Sequence, residues 1–218
     1  MGGKGRHRAG LLAVVLVALG VLTGAGSAGA PHPPLATALF FGDSLIAGNG
    51  ALPRRPVEAR TAADQLGWQP VVDAVGGTGY TTGGPHGRTY LYRLRHDHYL
   101  DMPYDVVVLE GGTNDAHHGS LTRLRAAALA TVDLVRQRQP LARIVMVGAY
   151  APAGVDLSRY AVADQVLAGV AHDRGLLYVS QLHFSAVTDP GFLSRDHYHP
   201  SDAGYALMGK ELAAALKG

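Results

Sequence analysis

Residues 105–115 read DVVVLEGGTND, an apolar run that ends in two glycines and three polar residues. An unbroken run of Val and Leu is typical of a strand that is buried on both faces, as in the interior of a parallel sheet. The polar residues follow at the carboxyl end of this strand, and in open parallel sheets ligands bind at that end. The stretch therefore predicts an α/β fold and indicates which edge of the sheet carries the chemistry.

Similar apolar runs recur along the chain, and segments with helical periodicity lie between them. The runs are TALFF (37–41), PVVDAV (70–75), RIVMVG (143–148) and LLYVS (176–180). The helical segments are 57–67, 121–139, 157–175 and 202–218. This alternation predicts a three-layer α/β/α sandwich around a five-stranded parallel sheet.

The N-terminus has the three-part pattern of a secretory signal peptide. Lys4, Arg6 and Arg8 precede the apolar run LLAVVLVALGVL, and the small-residue stretch TGAGSAGA follows it. The apolar run is shorter than the roughly 20 residues that a membrane span needs. We therefore expect a signal peptide at 1–30, cleaved after Ala30 or Ala28, and a secreted domain at 31–218 with no stable membrane anchor after processing.

Charge and cysteine content exclude several classes of protein. The chain has 19 basic and 17 acidic residues, and three of the basic residues belong to the predicted signal peptide. The remaining chain is close to neutral, so no nucleic-acid-binding face is expected. The absence of cysteine excludes disulfides, thiolate metal sites and a lipid-modified N-terminal cysteine.

Ser44, Asp196 and His199 are candidates for the reacting groups of an acyl transfer. Ser44 lies in FFGDSLI (40–46), directly after the first predicted strand, and the other two lie in RDHYHPSDAG (195–204), after the fifth. Such a reaction needs a nucleophile, a base and a group that orients the base. Taken singly, Ser44 could be a helix cap, Asp196 a turn cap and His199 an exposed residue. Their order and their positions at strand ends favour the catalytic interpretation.

An acyl transfer also needs hydrogen-bond donors for the developing oxyanion. Asn114 offers a side-chain amide, and the backbone N–H groups of Ser44 and of the glycine-rich stretch GGTGY (76–80) could point into the same space. Asn114 and the glycines could instead merely shape loops.

Together these blocks resemble the GDSL, or SGNH, hydrolase family. The resemblance rests on Gly42-Asp43-Ser44-Leu45, on Gly77, and on the stretches GGTND (111–115) and DHYHP (196–200). It implies a flavodoxin-like sheet, Ser44 as nucleophile, His199 as base and Asp196 as its partner. It also implies Ser44, Gly77 and Asn114 as oxyanion donors, with Gly76 or Gly79 as alternatives to Gly77. The chain has no GxSxG motif, so the common α/β-hydrolase arrangement is not indicated.

The expected function is that of a secreted, lipase-like serine esterase that hydrolyses carboxylic esters with short or medium acyl chains. Two alternatives are O-acetyl ester hydrolysis on a polysaccharide and a catalytically silent binding domain. No cofactor or metal is expected, because neither His96 and His98 nor His117 and His118 have the spacing of a zinc motif. His117 and His118 are instead expected at the mouth of the cleft. The partner is a small-molecule or carbohydrate ester substrate, and the protein is expected to be a monomer.

Overall fold

A computed structural model describes residues 1–2, 35–55 and 57–217. Apart from its first two residues, the predicted signal peptide lies outside this range, so its prediction stays untested. The described residues from 35 onward fold as a single compact unit. Within the described range, no helix combines the length and the apolar character that crossing a bilayer requires.

Five parallel strands form one sheet in the order β2-β1-β3-β4-β5. The strands are β1 (Ala36–Gly42), β2 (Trp68–Ala74), β3 (Val106–Glu110), β4 (Arg143–Val147) and β5 (Leu177–Val179). This is the flavodoxin-like strand order, and the predicted fold is confirmed. The three central strands are almost entirely buried, whereas the edge strands β2 and β5 are partly exposed.

Helices cover both faces of the sheet. They are α1 (Val57–Leu66), α2 (Tyr90–His96), α3 (Thr113–His118), α4 (Leu121–Arg138), α5 (Ser158–Asp173), α6 (Ser185–Thr188) and α7 (Asp202–Lys217). Because successive side chains of a strand point to opposite faces, β1 contributes to two hydrophobic clusters. Leu39 and Phe41 pack with α2, α4 and α5, whereas Ala38 and Phe40 pack with α1 and α7.

Two short segments differ from the sequence prediction. The glycines and polar residues of GGTND (111–115) predict a loop, but α3 begins at Thr113, after Gly112 with a φ of 111°. Six residues are too few to show helical periodicity, so this helix was not predictable from the pattern. The Tyr- and Arg-rich stretch around 96–98 predicts a helical segment, whereas α2 ends at His96 and His98 has a left-handed φ of 61°.

Glu58 of α1 and Glu110 of β3 form a buried acidic cluster with Gln181. The Gln181 amide donates to Glu58 Oε1 at 2.8 Å and to Glu110 Oε2 at 3.2 Å. Within the described residues, Glu58 Oε2, Glu110 Oε1 and Gln181 Oε1 have no donor. Burial, reinforced by neighbouring negative charge, raises the pKa of Glu58 to about 8 and the pKa of Glu110 well above its ordinary value. Protons on this cluster would supply the missing donors.

We expect Glu58→Gln to make stability less dependent on pH. The raised pKa means that the folded state retains a proton that the unfolded state releases. The contribution of Glu58 to stability is therefore full below its ordinary pKa of 4.5 and is lost as the pH rises to about 8. A Gln amide keeps its N–H donors at every pH. As the pH rises from 4.5 to about 8, the melting temperature of the variant relative to wild type should therefore increase by several degrees. A change of about 1 kcal/mol in the free energy of unfolding shifts the melting temperature by roughly 2–4 °C in a domain of this size.

The matched control is Asp64→Asn, which neutralises an exposed carboxylate on the same helix. Its melting-temperature difference from wild type should stay nearly constant over the same pH range. If Glu58→Gln behaved in the same way, the buried carboxyl would not be the source of the pH dependence.

Candidate active site

A continuous hydrogen-bonded chain links Ser44, His199 and Asp196. Ser44 Oγ lies 3.0 Å from His199 Nε2, and His199 Nδ1 lies 2.7 Å from Asp196 Oδ2. Ser44 follows the carboxyl end of β1, while the other two residues lie in the loop before α7, about 150 residues later in the chain. The sheet topology thus brings together three residues that were selected from the sequence.

Asp196 is held by donors on both carboxylate oxygens. Its Oδ1 accepts from the backbone N–H groups of Tyr198 and His199, each at 2.9 Å, and from Ser194 Oγ at 2.8 Å. Burial alone would raise the pKa of Asp196, but these bonds and the one from the His199 ring hold it well below its ordinary value. Because ionised Asp196 can only accept, the proton of a neutral His199 ring lies on Nδ1, and Nε2 is left to accept from Ser44.

His197 has no part in this chain of hydrogen bonds. Its side chain is exposed, and its backbone has a left-handed φ of 56°. The two histidines of the loop are therefore distinguished by geometry, because it is His199 whose ring nitrogens reach Ser44 and Asp196.

Backbone donors line the cleft beside Ser44. The N–H groups of Ser44, Gly76 and Gly77 have no backbone acceptor among the residues that the structure describes, and all three residues line the cleft. Gly77 has a φ of 76°, a left-handed conformation that favours glycine. Gly79, the other alternative, donates its N–H to Thr82 O at 2.9 Å. Gly76 and Gly77 thus remain the available glycine donors, and the role of Gly77 stays a prediction.

Asn114 lies in the first turn of α3 and also faces the cleft. Its amide Nδ2 is 2.8 Å from Asp43 Oδ2 and 2.9 Å from the carbonyl oxygen of Thr78, so it already has two acceptors. Asp43 is completely buried, and burial raises its pKa to about 7, although the Leu45 N–H, Arg93 and Asn114 act in the opposite direction. The oxyanion role of Asn114 stays a prediction, and the structure shows that its N–H groups are also needed by the fold.

Arg93 is a buried residue beside the site that belongs to none of the sequence motifs. Its guanidinium is fully buried and donates to Gly42 O at 2.8 Å, to Thr78 Oγ1 at 2.9 Å and to Asp73 Oδ1 at 2.6 Å. Arg93 thereby connects the strand end before Ser44 to the loop that contains Gly76 and Gly77. In the sequence it stands among other Arg and Tyr residues of a short helical segment, which is also the pattern of a solvated surface.

The cleft beside Ser44 has a volume of about 330 Å³ and no aliphatic side chain in its lining. The lining residues are Ser44, Asn49, Gly76, Gly77, Asn114, His117, His118, Tyr198 and His199. As expected, the two adjacent histidines border the cleft. Their ring centroids are 3.9 Å apart in a stacked arrangement, and the centroid of the Tyr198 ring lies 5.9 Å from that of His117. Burial, and then the charges of His118 and Arg159, lower the pKa of His117. The lining of the cleft therefore consists of glycines, polar side chains and aromatic rings.

No group of three or more His, Asp or Glu side chains placed to hold a metal ion occurs within residues 35–55 and 57–217. The expectation of a metal-independent reaction remains a prediction.

Residues 40–207 match the GDSL-like lipase/acylhydrolase family. This match covers most of the chain and includes Ser44, Asn114, Asp196 and His199. The chain belongs to this family. It is an ester hydrolase, and the resemblance seen in the sequence blocks is confirmed. No curated protein matches the sequence.

Solved structures with the same fold include several carbohydrate esterases. A family two carbohydrate esterase from Clostridium thermocellum, in complex with cellohexaose, is 23% identical with a TM-score of 0.68, and the match covers 86% of this chain and 65% of that one. The acetyl xylan esterase Est2A from Butyrivibrio proteoclasticus is 16% identical with a TM-score of 0.62, covering 85% and 64%. The salicylyl-acyltransferase SsfX3, from a tetracycline biosynthetic pathway, is 19% identical with a TM-score of 0.65, covering 86% and 55%. This chain thus spans about two thirds or less of these relatives, and the likeness establishes a shared fold.

Proposed function

We propose that this GDSL-family esterase is an exported serine hydrolase that acts through a covalent acyl-enzyme on Ser44. The observation that carries the proposal is the chain from Ser44 Oγ through the His199 ring to Asp196 Oδ2, with links of 3.0 and 2.7 Å. A serine hydroxyl is a weak nucleophile until a base takes its proton, and a base next to a carboxylate is suited to that task.

In the first half of the reaction, Ser44 Oγ forms a bond to the carbonyl carbon of the ester while its proton moves to His199 Nε2. The carbonyl oxygen takes up the negative charge and accepts from the N–H groups of the cleft. His199 then returns the proton to the departing alcohol. In the second half, a water molecule replaces the alcohol, and its oxygen bonds to the acyl carbon while His199 takes its proton. The bond between the acyl carbon and Ser44 Oγ then breaks, His199 returns the proton to Ser44 Oγ, and the acid is released.

The lining of the cleft favours a short acyl group. A long alkyl chain gains about 0.8 kcal/mol for each methylene that it buries against apolar surface, and none of the lining residues supplies an aliphatic side chain. We therefore propose acetyl and other short acyl groups as substrates, within the short-to-medium range that we expect from the sequence.

An O-acetylated carbohydrate is a second candidate substrate. The stacked rings of His117 and His118 and the amide of Asn49 give the cleft flat faces and polar edges, which suit a hydroxyl-rich alcohol. The carbohydrate esterases that share the fold add support by analogy. Export through the N-terminal 30 residues would place the enzyme where polysaccharides occur.

A series of p-nitrophenyl esters tests the acyl preference. We expect kcat/KM to be highest for acetate or butyrate and to fall steadily towards palmitate, because the added methylenes find no aliphatic side chain to pack against. A maximum at the long-chain esters would contradict this proposal. Comparing ethyl acetate with acetylated xylose, both esters of unactivated alcohols, then tests the second candidate, which requires a higher kcat/KM for the sugar ester.

Fluorophosphonate labelling tests the nucleophile itself. The probe reacts with serines that an adjacent base activates, so peptide mass spectrometry should place the adduct on Ser44 and not on the neighbouring Ser194 or Ser201. The absence of labelling on folded protein would favour the catalytically silent binding domain.

A further inference from the structure

Arg93 is a fully buried cation of α2, and its guanidinium contacts three segments of the chain. One nitrogen, Nη1, donates to Gly42 O at 2.8 Å and to Thr78 Oγ1 at 2.9 Å. The other, Nη2, donates to Asp73 Oδ1 at 2.6 Å. The ion pair with Asp73 neutralises the buried charge, whereas the two bonds of Nη1 join segments that flank the cleft.

The position of the guanidinium is also fixed by packing. Its Cζ lies 4.3 Å from the centroid of the Phe41 ring and 5.7 Å from that of the Tyr90 ring, within the range of a cation–π contact. The Tyr90 hydroxyl donates to Glu110 O at 2.7 Å, which ties this ring to the carboxyl end of β3. Rings and hydrogen bonds therefore determine together where Nη1 lies.

The Nη1 nitrogen bridges the two segments that carry the backbone donors of the cleft. Gly42 stands two residues before Ser44, and Thr78 directly follows Gly77. Because the two acceptors lie 2.8 and 2.9 Å from the same atom, they cannot move apart without breaking a buried hydrogen bond. The segments also meet in the cleft itself, where a Cβ on Gly76 would lie 3.6 Å from Ser44 Cβ.

Thr78 extends this network to Asn114. The Thr78 hydroxyl accepts from Arg93 and donates to Val75 O at 2.6 Å, which closes the turn 75–78. The carbonyl oxygen of Thr78 accepts from Asn114 Nδ2 at 2.9 Å. The restraint that Arg93 supplies therefore reaches the glycine turn and the amide of Asn114 as well as the end of β1.

We propose that Arg93 is a positioning residue that holds the backbone N–H groups of Ser44 and Gly77 at the separation that an oxyanion requires. This inference rests on the proposed function, because it concerns how the donors of the same acyl transfer are held. Donors that are in place before the charge develops need no reorganisation in the transition state. Arg93 is fully buried and does not line the cleft, so it acts through Gly42 and Thr78.

The first test is Arg93→Lys, assayed with p-nitrophenyl acetate. Lysine keeps the positive charge beside Asp73, but its single ammonium nitrogen lacks the fork with which the guanidinium reaches three acceptors. We expect kcat to fall about 10²-fold with little change in KM, since a misplacement of about 1 Å in a reacting geometry can have that effect. A folded Arg93→Lys with the kcat of wild type, or with a change in KM alone, would overturn the proposal.

Thr78→Val removes the same bridge from its other end. Valine keeps the shape of the side chain and the carbonyl oxygen that accepts from Asn114, but it has no hydroxyl for Arg93. The kcat of this variant should also fall, and adding Arg93→Lys to it should lower kcat little further, because both changes remove one restraint. Effects that multiply in full would show that the two residues act separately and would contradict the proposal. Should Arg93→Lys fail to fold, wild-type kcat in Thr78→Val would be sufficient to reject it.

Gln139→Ala is the control that separates positioning from stability. The buried Gln139 amide donates to Leu100 O and Met102 O, each at 2.8 Å, in the segment before β3 and thus at the opposite end of the sheet. Its replacement should lower the melting temperature and leave kcat and KM of the folded protein unchanged. If Arg93→Lys matched this control in both respects, its role would be structural alone. A wild-type protein with neither ester hydrolysis nor fluorophosphonate labelling would instead overturn the proposed function, and this inference with it, before any variant is compared.

Discussion

Replacing Ser44 with alanine should lower kcat for every ester substrate by roughly 10⁵- to 10⁶-fold. The variant lacks the oxygen that attacks the carbonyl carbon, and His199 has no hydroxyl to deprotonate. Its KM should change little, because the N–H groups and rings of the cleft remain. Purified protein assayed with p-nitrophenyl acetate gives the measurement, and the same variant should no longer react with a fluorophosphonate.

Ser158→Ala is the matched control, since Ser158 is exposed at the start of α5 and its hydroxyl bonds to Asp156. Its kcat should equal that of wild type. If Ser44→Ala retained a kcat comparable to this control, the acyl-enzyme on Ser44 would be excluded even though the family assignment would stand.

The second large effect is expected for His199→Ala, again about 10⁵- to 10⁶-fold in kcat, because nucleophile and base act as one unit. His197→Ala is a closely matched control, since it removes an imidazole two residues away in the same loop that reaches neither Ser44 nor Asp196. It should keep most of the activity. The reverse result, an active His199→Ala and an inactive His197→Ala, would show that the base is assigned wrongly.

Asp196→Asn should fall between these two variants, because the ring of His199 survives but loses its orientation and the stabilisation of its charged form. The acid side of the pH–rate profile gives a second readout. The pKa of Asp196 is held below its ordinary value, so the carboxylate stays ionised as the medium is acidified. Loss of wild-type activity on acidification should therefore not come from protonation of Asp196, and His197→Ala should leave the pH–rate profile unchanged.

The fold was largely predictable because its signals are local. Buried parallel strands require continuous apolar runs such as the one at 106–110, and long amphipathic helices such as α4 and α5 show the 3.6-residue period. Edge strands β2 and β5 and the long helices were located to within a few residues. The short helix α3 was not, since Thr113–His118 is held by tertiary contacts, including the hydrogen bonds between Thr113 Oγ1 and Tyr150.

The residues of the candidate site also fall into two groups, those that the sequence indicates and those that it does not. Ser44, Asp196 and His199 could be selected because the chemistry of acyl transfer restricts the residue types and because strand ends of a parallel sheet share one edge. Arg93 and the pair Glu58 and Glu110 could not. Their importance depends on burial and on partners up to 123 residues away, as in the bond between Glu58 and Gln181, and nothing in their neighbouring residues reveals it.

The sequence by itself thus determined the order of strands and helices and the residue types available at the sheet edge, because hydrophobic periodicity and side-chain chemistry are properties of short segments. The tertiary structure alone decided that the N–H of Gly79 is already paired and that the amide of Asn114 already has two acceptors. Which donors are free depends on hydrogen-bond distances between segments far apart in the chain, and those distances are set only when the sheet, the helices and their loops are packed together.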